Sequence, residues 1–279
     1  MNTYAFSKQP NPSAQRIALI IQYLGTKYNG WQRQPIGRTI QGEIETAIAS
    51  VLDKPITIYG AGRTDAGVHA AAQVAHFNYT GPIPPEKWAK IINSRLPEGI
   101  AIRASARVPD RWHACFSAEW RRYRYTIYTD SLPNLFVKAV SWHYYRAFLD
   151  EKAIKQALKP LIGKHELSAF RKTGASRKHS LVNVQDAICY RQNSFLYLEI
   201  QADGFLYGMV RLLVGLLIEV GTGNLSPAEF TNIWKNRQRE RVKYSAPAKG
   251  LCLLRVGYPV FPFSSRIWFD TQPNYILAT

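Results

Sequence analysis

The chain has 279 residues, of which 46% are hydrophobic and 20% charged, so it can fold as one large domain or two modest ones around a sizeable core. Thirty-six Lys and Arg stand against 19 Asp and Glu, a formal net charge of +17, which calls for a polyanionic partner such as nucleic acid or an anionic membrane surface. The 3 cysteines are scattered and odd in number, which gives neither a disulfide framework nor a zinc cluster and points to a reducing compartment.

Residues 1–15 carry no apolar run and read as a flexible lead-in, not a secretory signal. "RIALIIQYLG" is a buried-type strand. "TIQGEIETAIASVLDK" sets Ile40, Ile44, Ala47, Ile48, Val51 and Leu52 at helical spacing behind Thr39 as N-cap. "PITIYG" and "AAQVAHFNY" read as strands either side of the glycine-rich stretch "GAGRTDAGVHA". "PPEKWAKIINSRL" reads as a helix opened by prolines, and "IAIRASARV" as a further strand. Residues 16–109 therefore alternate β-α-β-β-α-β, an α+β unit of ferredoxin-like type.

Residues 110–260 repeat the theme in longer pieces. "EWRRYRYTIYT" is a strand and "DEKAIKQALKPLIG" a helix. "LVNVQDAICY" and "FLYLEIQAD" flank the polar turn "RQNS" as a hairpin. A long apolar helix is expected from about Phe205 to Gly221, a short one at "SPAEFTNIWKNR", and a closing strand at "GLCLLRVGY". The apolar helix is interrupted by Arg211 and too short to span a bilayer comfortably, so no membrane role follows and a cytoplasmic location is expected. Two α+β halves with mainly antiparallel sheets, facing each other, would enclose a central cleft. Residues 261–279 form an aromatic, unpatterned tail.

The loop 60–70 does not fit the phosphate cradles that glycine suggests. A P-loop needs a lysine that is absent, and in a dinucleotide fingerprint the third glycine would come earlier and open a helix. Asp65 is the loop's only acid, too few oxygens for calcium. Two readings stay open: a tight turn with an incidental acid, or an open loop presenting an ionised carboxylate as nucleophile or base. Arg63, two residues away, supports the second, because a pair at ~4 Å and an effective dielectric near 20 interacts by about 4 kcal/mol before desolvation.

Three further features carry chemistry. In "RRYRYTIY" strand alternation puts Arg121, Tyr123 and Tyr125 on one face and Arg122 and Arg124 on the other. Aromatics that stack on bases and arginines that bind phosphates are how single-stranded or flipped RNA is held, although an aromatic ladder with a solvated basic face has the same pattern. Gly204, Gly208, Arg211 and Gly215 line one helical stripe, implying a close-approaching element and an anionic partner for Arg211, either Asp65 or an RNA backbone. The basic loops 170–180, with Arg171, Lys172, Arg177 and Lys178, and 235–243 suit a phosphate track.

"GRTDAGVHA" resembles, over its whole length, the central motif of the TruA-type tRNA pseudouridine synthases. "YLGTKYNGWQRQP", "TIQGEIETAI", "FSAEWRRYRY", "GFLYGMVRLLVG" and "SAPAKGLCLL" match further motifs of that family in the same order, so the resemblance covers roughly residues 16 to 260. It implies a pseudouridine synthase fold, isomerisation of uridine at tRNA positions 38, 39 and 40 in the anticodon stem-loop, a homodimer and no cofactor or metal. By the same resemblance Asp65 is the catalytic aspartate and Arg63 pairs with it and helps evert the base. Tyr123 stacks on the uracil, and Arg211 contacts the aspartate side of the pocket. Two positions depart from the pattern: Cys115 stands where many members have arginine in "HARFSA", and Leu212 where they have asparagine in "MVRN". An RNA N-ribosyl hydrolase with the same carboxylate and an RNA-binding protein with a merely structural loop are the rival readings. A deaminase is disfavoured by the missing His-x-Glu and Pro-Cys-x-x-Cys ligands.

Overall fold

A computed structural model describes residues 14–174, 179–267 and 273. Residues 1–13 of the lead-in, most of the tail after 267, and both Arg177 and Lys178 lie outside the described residues. The strands are β1 (Gln15–Tyr23), β2 (Tyr59–Gly60), β3 (His69–Tyr79), β4 (Ile100–Val108), β5 (Trp120–Tyr128), β6 (Trp142–His143), β7 (Gly163–Glu166), β8 (Leu181–Gln192), β9 (Phe195–Ala202) and β10 (Leu251–Gly257). The helices are α1 (Ile40–Leu52), α2 (Trp88–Asn93), α3 (Glu151–Leu158), α4 (Met209–Gly221) and α5 (Pro227–Lys235).

The class is α+β with a mainly antiparallel sheet, as the sequence predicts. Among the described residues the strands form one ten-stranded sheet, ordered β4-β1-β3-β10-β5-β9-β8-β7 with β2 paired to β3 and β6 to β5 off that path, rather than two separate ones. The seam is β10, parallel to β3 at Cys252↔His69 and Leu253↔Ala70 and antiparallel to β5 along its length. The last strand in sequence thus binds the first half to the second, and the halves share one sheet side by side. Such a strand must be apolar on both faces, and Leu251, Leu253, Leu254 and Val256 are all buried.

Local signals explain most element ends. The Thr39 hydroxyl accepts from the Gly42 amide and caps α1, while Ile40, Ile44, Ala47 and Ile48 turn into the core. The turn between β8 and β9 holds Asn193 in the left-handed region (φ 52°), closing the expected hairpin. Two expectations shorten. The apolar helix begins at Met209, not near Phe205, because Gly208 takes φ 70° and stops helical propagation toward the N-terminus. "PITIYG" contributes only Tyr59 and Gly60 to the sheet.

Candidate active site

The loop between β2 and β3 is tied down by hydrogen bonds along its length. Ala61 N–H donates to Val74 O at 2.7 Å, Trp31 N–H to Thr64 O at 3.1 Å, Gly67 N–H to Tyr28 O at 3.3 Å and Val68 N–H to Asp65 O at 3.1 Å. The Gln73 amide donates to Gly62 O at 2.8 Å, and the Thr64 and Tyr23 hydroxyls share a buried bond of 2.8 Å. Glycine is required where neighbours close in: Gly30 sits at φ 86°, and a Cβ there would lie 2.6 Å from Thr64 O. The loop is rigid, yet Arg63 and Ala66 are exposed and Asp65 is half-buried.

Asp65 meets Arg211, 146 positions away. Nη1 of Arg211 lies 3.1 Å from Oδ2 of Asp65, with the side chains 17% and 22% exposed. The same guanidinium donates through Nε to Ala246 O at 2.7 Å, and Ala246 N–H donates back to Arg211 O at 2.9 Å. The close approach implied by the glycine stripe is this segment: a Cβ on Gly215 would lie 2.2 Å from Tyr244 O. Arg63 makes no ion pair with Asp65. It is exposed and without a hydrogen bond or charge partner among the described residues.

Tyr123 stands on the same face as Arg121, 7% exposed, with its ring edge-on to Phe205 at 4.8 Å. Burial pushes its phenol well above the usual range; Arg121 opposes this and the nearby Asp65 charge reinforces it, so the ring stays neutral. Its hydroxyl has no hydrogen-bond partner among the described residues. Tyr125, next on that face, donates to Pro247 O at 2.7 Å.

The other arginines of β5 do not join this cluster. Arg121 spends its donors on backbone carbonyls, reaching Ala61 O at 2.9 Å, Cys115 O at 2.8 Å and Asp203 O at 2.9 Å. It clamps the aspartate loop to its neighbours and presents no free fork to a phosphate. Arg122 and Arg124 project from the opposite face, where β9 brings Glu199 to 2.6 Å from each and Asp186 reaches Arg122 at 3.0 Å. Burial disfavours the Glu199 charge, but Arg124 and Arg122 overcome it and hold the carboxyl below its usual range. Arg124 is 5% exposed and the Arg122 side chain 22%, and both of these arginines, expected to bind RNA, are engaged in an internal ion network.

Of the basic loop, Lys172 does reach the site. Its stem crosses Gly208, where a Cβ would lie 2.6 Å from Lys172 Cδ, and its ammonium sits 5.7 Å from the Tyr207 ring centre. Partial burial and Arg211 lower its pKa, while Asp65 pulls it back up. Arg171 donates to the Ser180 hydroxyl at 3.2 Å and gives its carbonyl to Arg239. Sequence reasoning missed Phe205, whose quoted motif carried no reason to single it out, and His69. Burial lowers the His69 pKa; its Nδ1 accepts from Gly25 N–H at 3.0 Å, so Nε2 holds the proton and donates to Lys249 O at 3.1 Å. Among the described residues no three His, Cys, Asp or Glu side chains group to hold a metal, and no helix is long and apolar enough to cross a membrane.

A carboxylate pinned by an arginine, in a rigid open loop beside a neutral aromatic ring, is an arrangement able to work on a base drawn out of its stack. The sequence pattern of the family described as tRNA pseudouridine synthase matches residues 19–117 and 157–259, and the chain belongs to that family. The tRNA pseudouridine synthase A of Rippkaea orientalis is 63% identical over 262 residues, 94% of this chain and 89% of the relative. That of Nostoc sp. is 61% identical over 272 residues, 98% and 96% of the two chains. A crystal structure of a Cbf5–Nop10–Gar1 complex aligns at 12% identity with a TM-score of 0.33, over 72% of this chain and 54% of that one.

Proposed function

We propose that this protein, an isomerase of the tRNA pseudouridine synthase family, converts uridine to pseudouridine at positions 38, 39 and 40 of the tRNA anticodon stem-loop, with Asp65 as the catalytic carboxylate. The observation that carries the reading is the Asp65–Arg211 pair, 3.1 Å apart at the mouth of a rigid glycine loop. Isomerisation breaks the C1′–N1 bond, turns the uracil and joins C1′ to C5; C5 loses a proton and N1 gains one. Atoms and electrons balance without an oxidant, a reductant or water as final acceptor. Asp65 acts as nucleophile or base, Arg211 orients it, Tyr123 stacks on the uracil, and exposed Arg63 helps evert the nucleotide. Lys172, beside Arg211, takes a phosphate, and Arg171, Arg177 and Lys178 extend the track by their charge.

The same reading makes the protein a homodimer that works in the cytoplasm, where its tRNA substrate is. An apolar excursion between β5 and β6, with Leu132, Leu135 and Phe136 exposed (Phe136 at 97%), supports self-association. The test of function is Asp65→Asn, which keeps shape but removes the nucleophile or base. Tritium release from tRNA labelled at uridine C5 is expected to fall to background while tRNA binding, set by phosphate contacts, stays near wild type. Substantial activity in Asp65→Asn overturns the assignment. Base loss in place of conversion, seen as a drop in RNA mass, makes the enzyme a hydrolase instead.

A further inference from the structure

The turn between β4 and β5 carries an aromatic side chain that the fold does not use. Phe116 is 84% exposed, yet the chain around it is fixed. Nδ1 of His113 accepts from the Cys115 and Phe116 amides at 3.1 and 3.3 Å, the Ser117 hydroxyl accepts from His113 N–H at 3.0 Å, and Ser117 N–H donates to His113 O at 2.9 Å. Tyr258 donates to Ala114 O at 2.6 Å and Ala114 N–H to the buried His76 at 3.2 Å. The Phe116 ring lies on the His113 imidazole at 4.3 Å and 29°, and His113 in turn rests edge-on against His76 at 4.6 Å. One face of Phe116 is thus backed by a rigid stack, and the other is open.

Its position relates it to the aspartate loop. One nitrogen of Arg121 donates both to Cys115 O, the residue before Phe116, and to Ala61 O, two residues before Arg63. Two carbonyls held by one nitrogen at 2.8 and 2.9 Å lie within about 6 Å of each other, so the turn and the aspartate loop form one rigid rim. An exposed ring on a mobile loop would lose entropy on binding; here that ordering is already complete. A flat, backed, sequence-tolerant surface on a cationic protein suits a nucleobase, since every base has a π-face.

We propose that Phe116, seated on His113, is a stacking platform for a nucleobase flanking the target uridine, holding the neighbouring nucleotide while the target leaves the stack. The inference rests on the reading of the Asp65 loop as the RNA-modifying site. It assigns Phe116 a positioning role, separate from the chemistry at Asp65.

The experiment uses the full-length protein and tRNA transcripts carrying 2-aminopurine next to the converted uridine, on either side in turn. Wild-type protein is expected to quench the probe on one side. Phe116→Ala is expected to lose that quenching and to raise Kd by about 5- to 150-fold, the equivalent of one base–aromatic stack. Phe116→Trp should restore both. Phe116→Leu, apolar but not flat, should not. Single-turnover rate at saturating tRNA should change less than Kd, which separates positioning from catalysis. Melting curves and sedimentation of each variant check fold and assembly. Equal quenching and affinity in wild type and Phe116→Ala, or full rescue by leucine, overturns this inference alone. So does a loss of affinity that follows subunit dissociation. A wild-type protein that converts no uridine overturns the functional reading as well.

Discussion

Arg211→Lys isolates the geometry of the site from its charge. The arginine bridges two acceptors on different elements, Ala246 O at 2.7 Å and Asp65 Oδ2 at 3.1 Å. Lysine lacks the planar fork whose Nε and Nη1 face the two acceptors separately, so the variant keeps a cation at the site but is expected to lose one charge-assisted bond. Such a bond contributes about 1.5–3 kcal/mol, or about 10- to 150-fold in rate if the whole loss falls on the transition state. The side chains are 17% and 22% exposed, so solvent screening favours the lower part of that range. Arg211→Met removes both bonds and leaves Asp65 without its cation, and should be at least about tenfold slower than the lysine variant. KM should stay within about threefold of wild type in both, because phosphate contacts set tRNA affinity. Tritium release under steady-state conditions gives kcat and KM, and urea unfolding confirms that each variant is folded. Arg211→Lys with wild-type kcat, or a methionine variant whose whole defect lies in KM, would refute the idea that this arginine positions the carboxylate.

Three further outcomes are expected. Gly215→Ala should destabilise: alanine gains about 1 kcal/mol of helix propensity, but its Cβ would lie 2.2 Å from Tyr244 O, and overpacking costs about 1–3 kcal/mol, read as a lower urea midpoint with reduced kcat, whereas Gly62→Ala, with nothing within 4 Å, should be near neutral in stability. His76 is 1% exposed, and burial, His113 and Arg16 push its pKa down to about 4. The unfolded chain therefore takes up this proton first as pH falls through the ordinary histidine value. Its stabilisation is complete above about pH 6.5 and falls by about 2 kcal/mol by pH 5, a loss that His76→Asn should remove from the urea midpoints, leaving the same-direction contributions of His69 and His113. Tyr123→Phe should retain activity, since the hydroxyl has no partner among the described residues, and Tyr123→Ala should lose about 5- to 150-fold in kcat/KM; a phenylalanine variant as inactive as the alanine one would give the hydroxyl a chemical role.

How much of this was legible depends on the range of the interaction. Thr39 and the apolar spacing behind it specify α1 because capping and amphipathicity act within a few residues. Asp65 stands out as the one acid of a glycine-rich loop, two residues from an arginine, although a turn with an incidental acid has the same pattern, and Arg211 because a charge in an apolar helix demands a partner. Its candidate partner, Asp65, was readable from that demand. The role of Arg121, Arg122 and Arg124 was not. Alternation along β5 separates their faces, but only β9, about 75 residues later, supplies Glu199 and decides which face is neutralised internally. Pairing of Arg63 with Asp65 was inferred from nearness in sequence, which an open loop does not convert into nearness of side chains. The single sheet was hidden for the same reason, since nothing local marks β10 as the strand that enters between β3 and β5.

The lead-in to β10 shows what joins the parts of the site. Three side chains from three elements converge on its carbonyls: Arg211 of α4 on Ala246, Tyr125 of β5 on Pro247, and His69 of β3 on Lys249. Each comes from an element that also borders the site, through the aspartate's partner, the strand of Tyr123 and the strand that follows the glycine loop. The segment therefore adds to the direct Asp65–Arg211 contact in fixing the relative position of these elements. Carbonyl acceptors serve this purpose, so the demand on "APAK" is conformational: Pro247 has no N–H to give and none is needed, and Gly250 admits the Tyr125 ring, against which a Cβ would stand at 2.5 Å. The lead-in to β10 thus helps to hold the carboxylate–arginine pair, and the aspartate loop by itself would hold its acid without the cation that Arg211 supplies from the other half of the sheet.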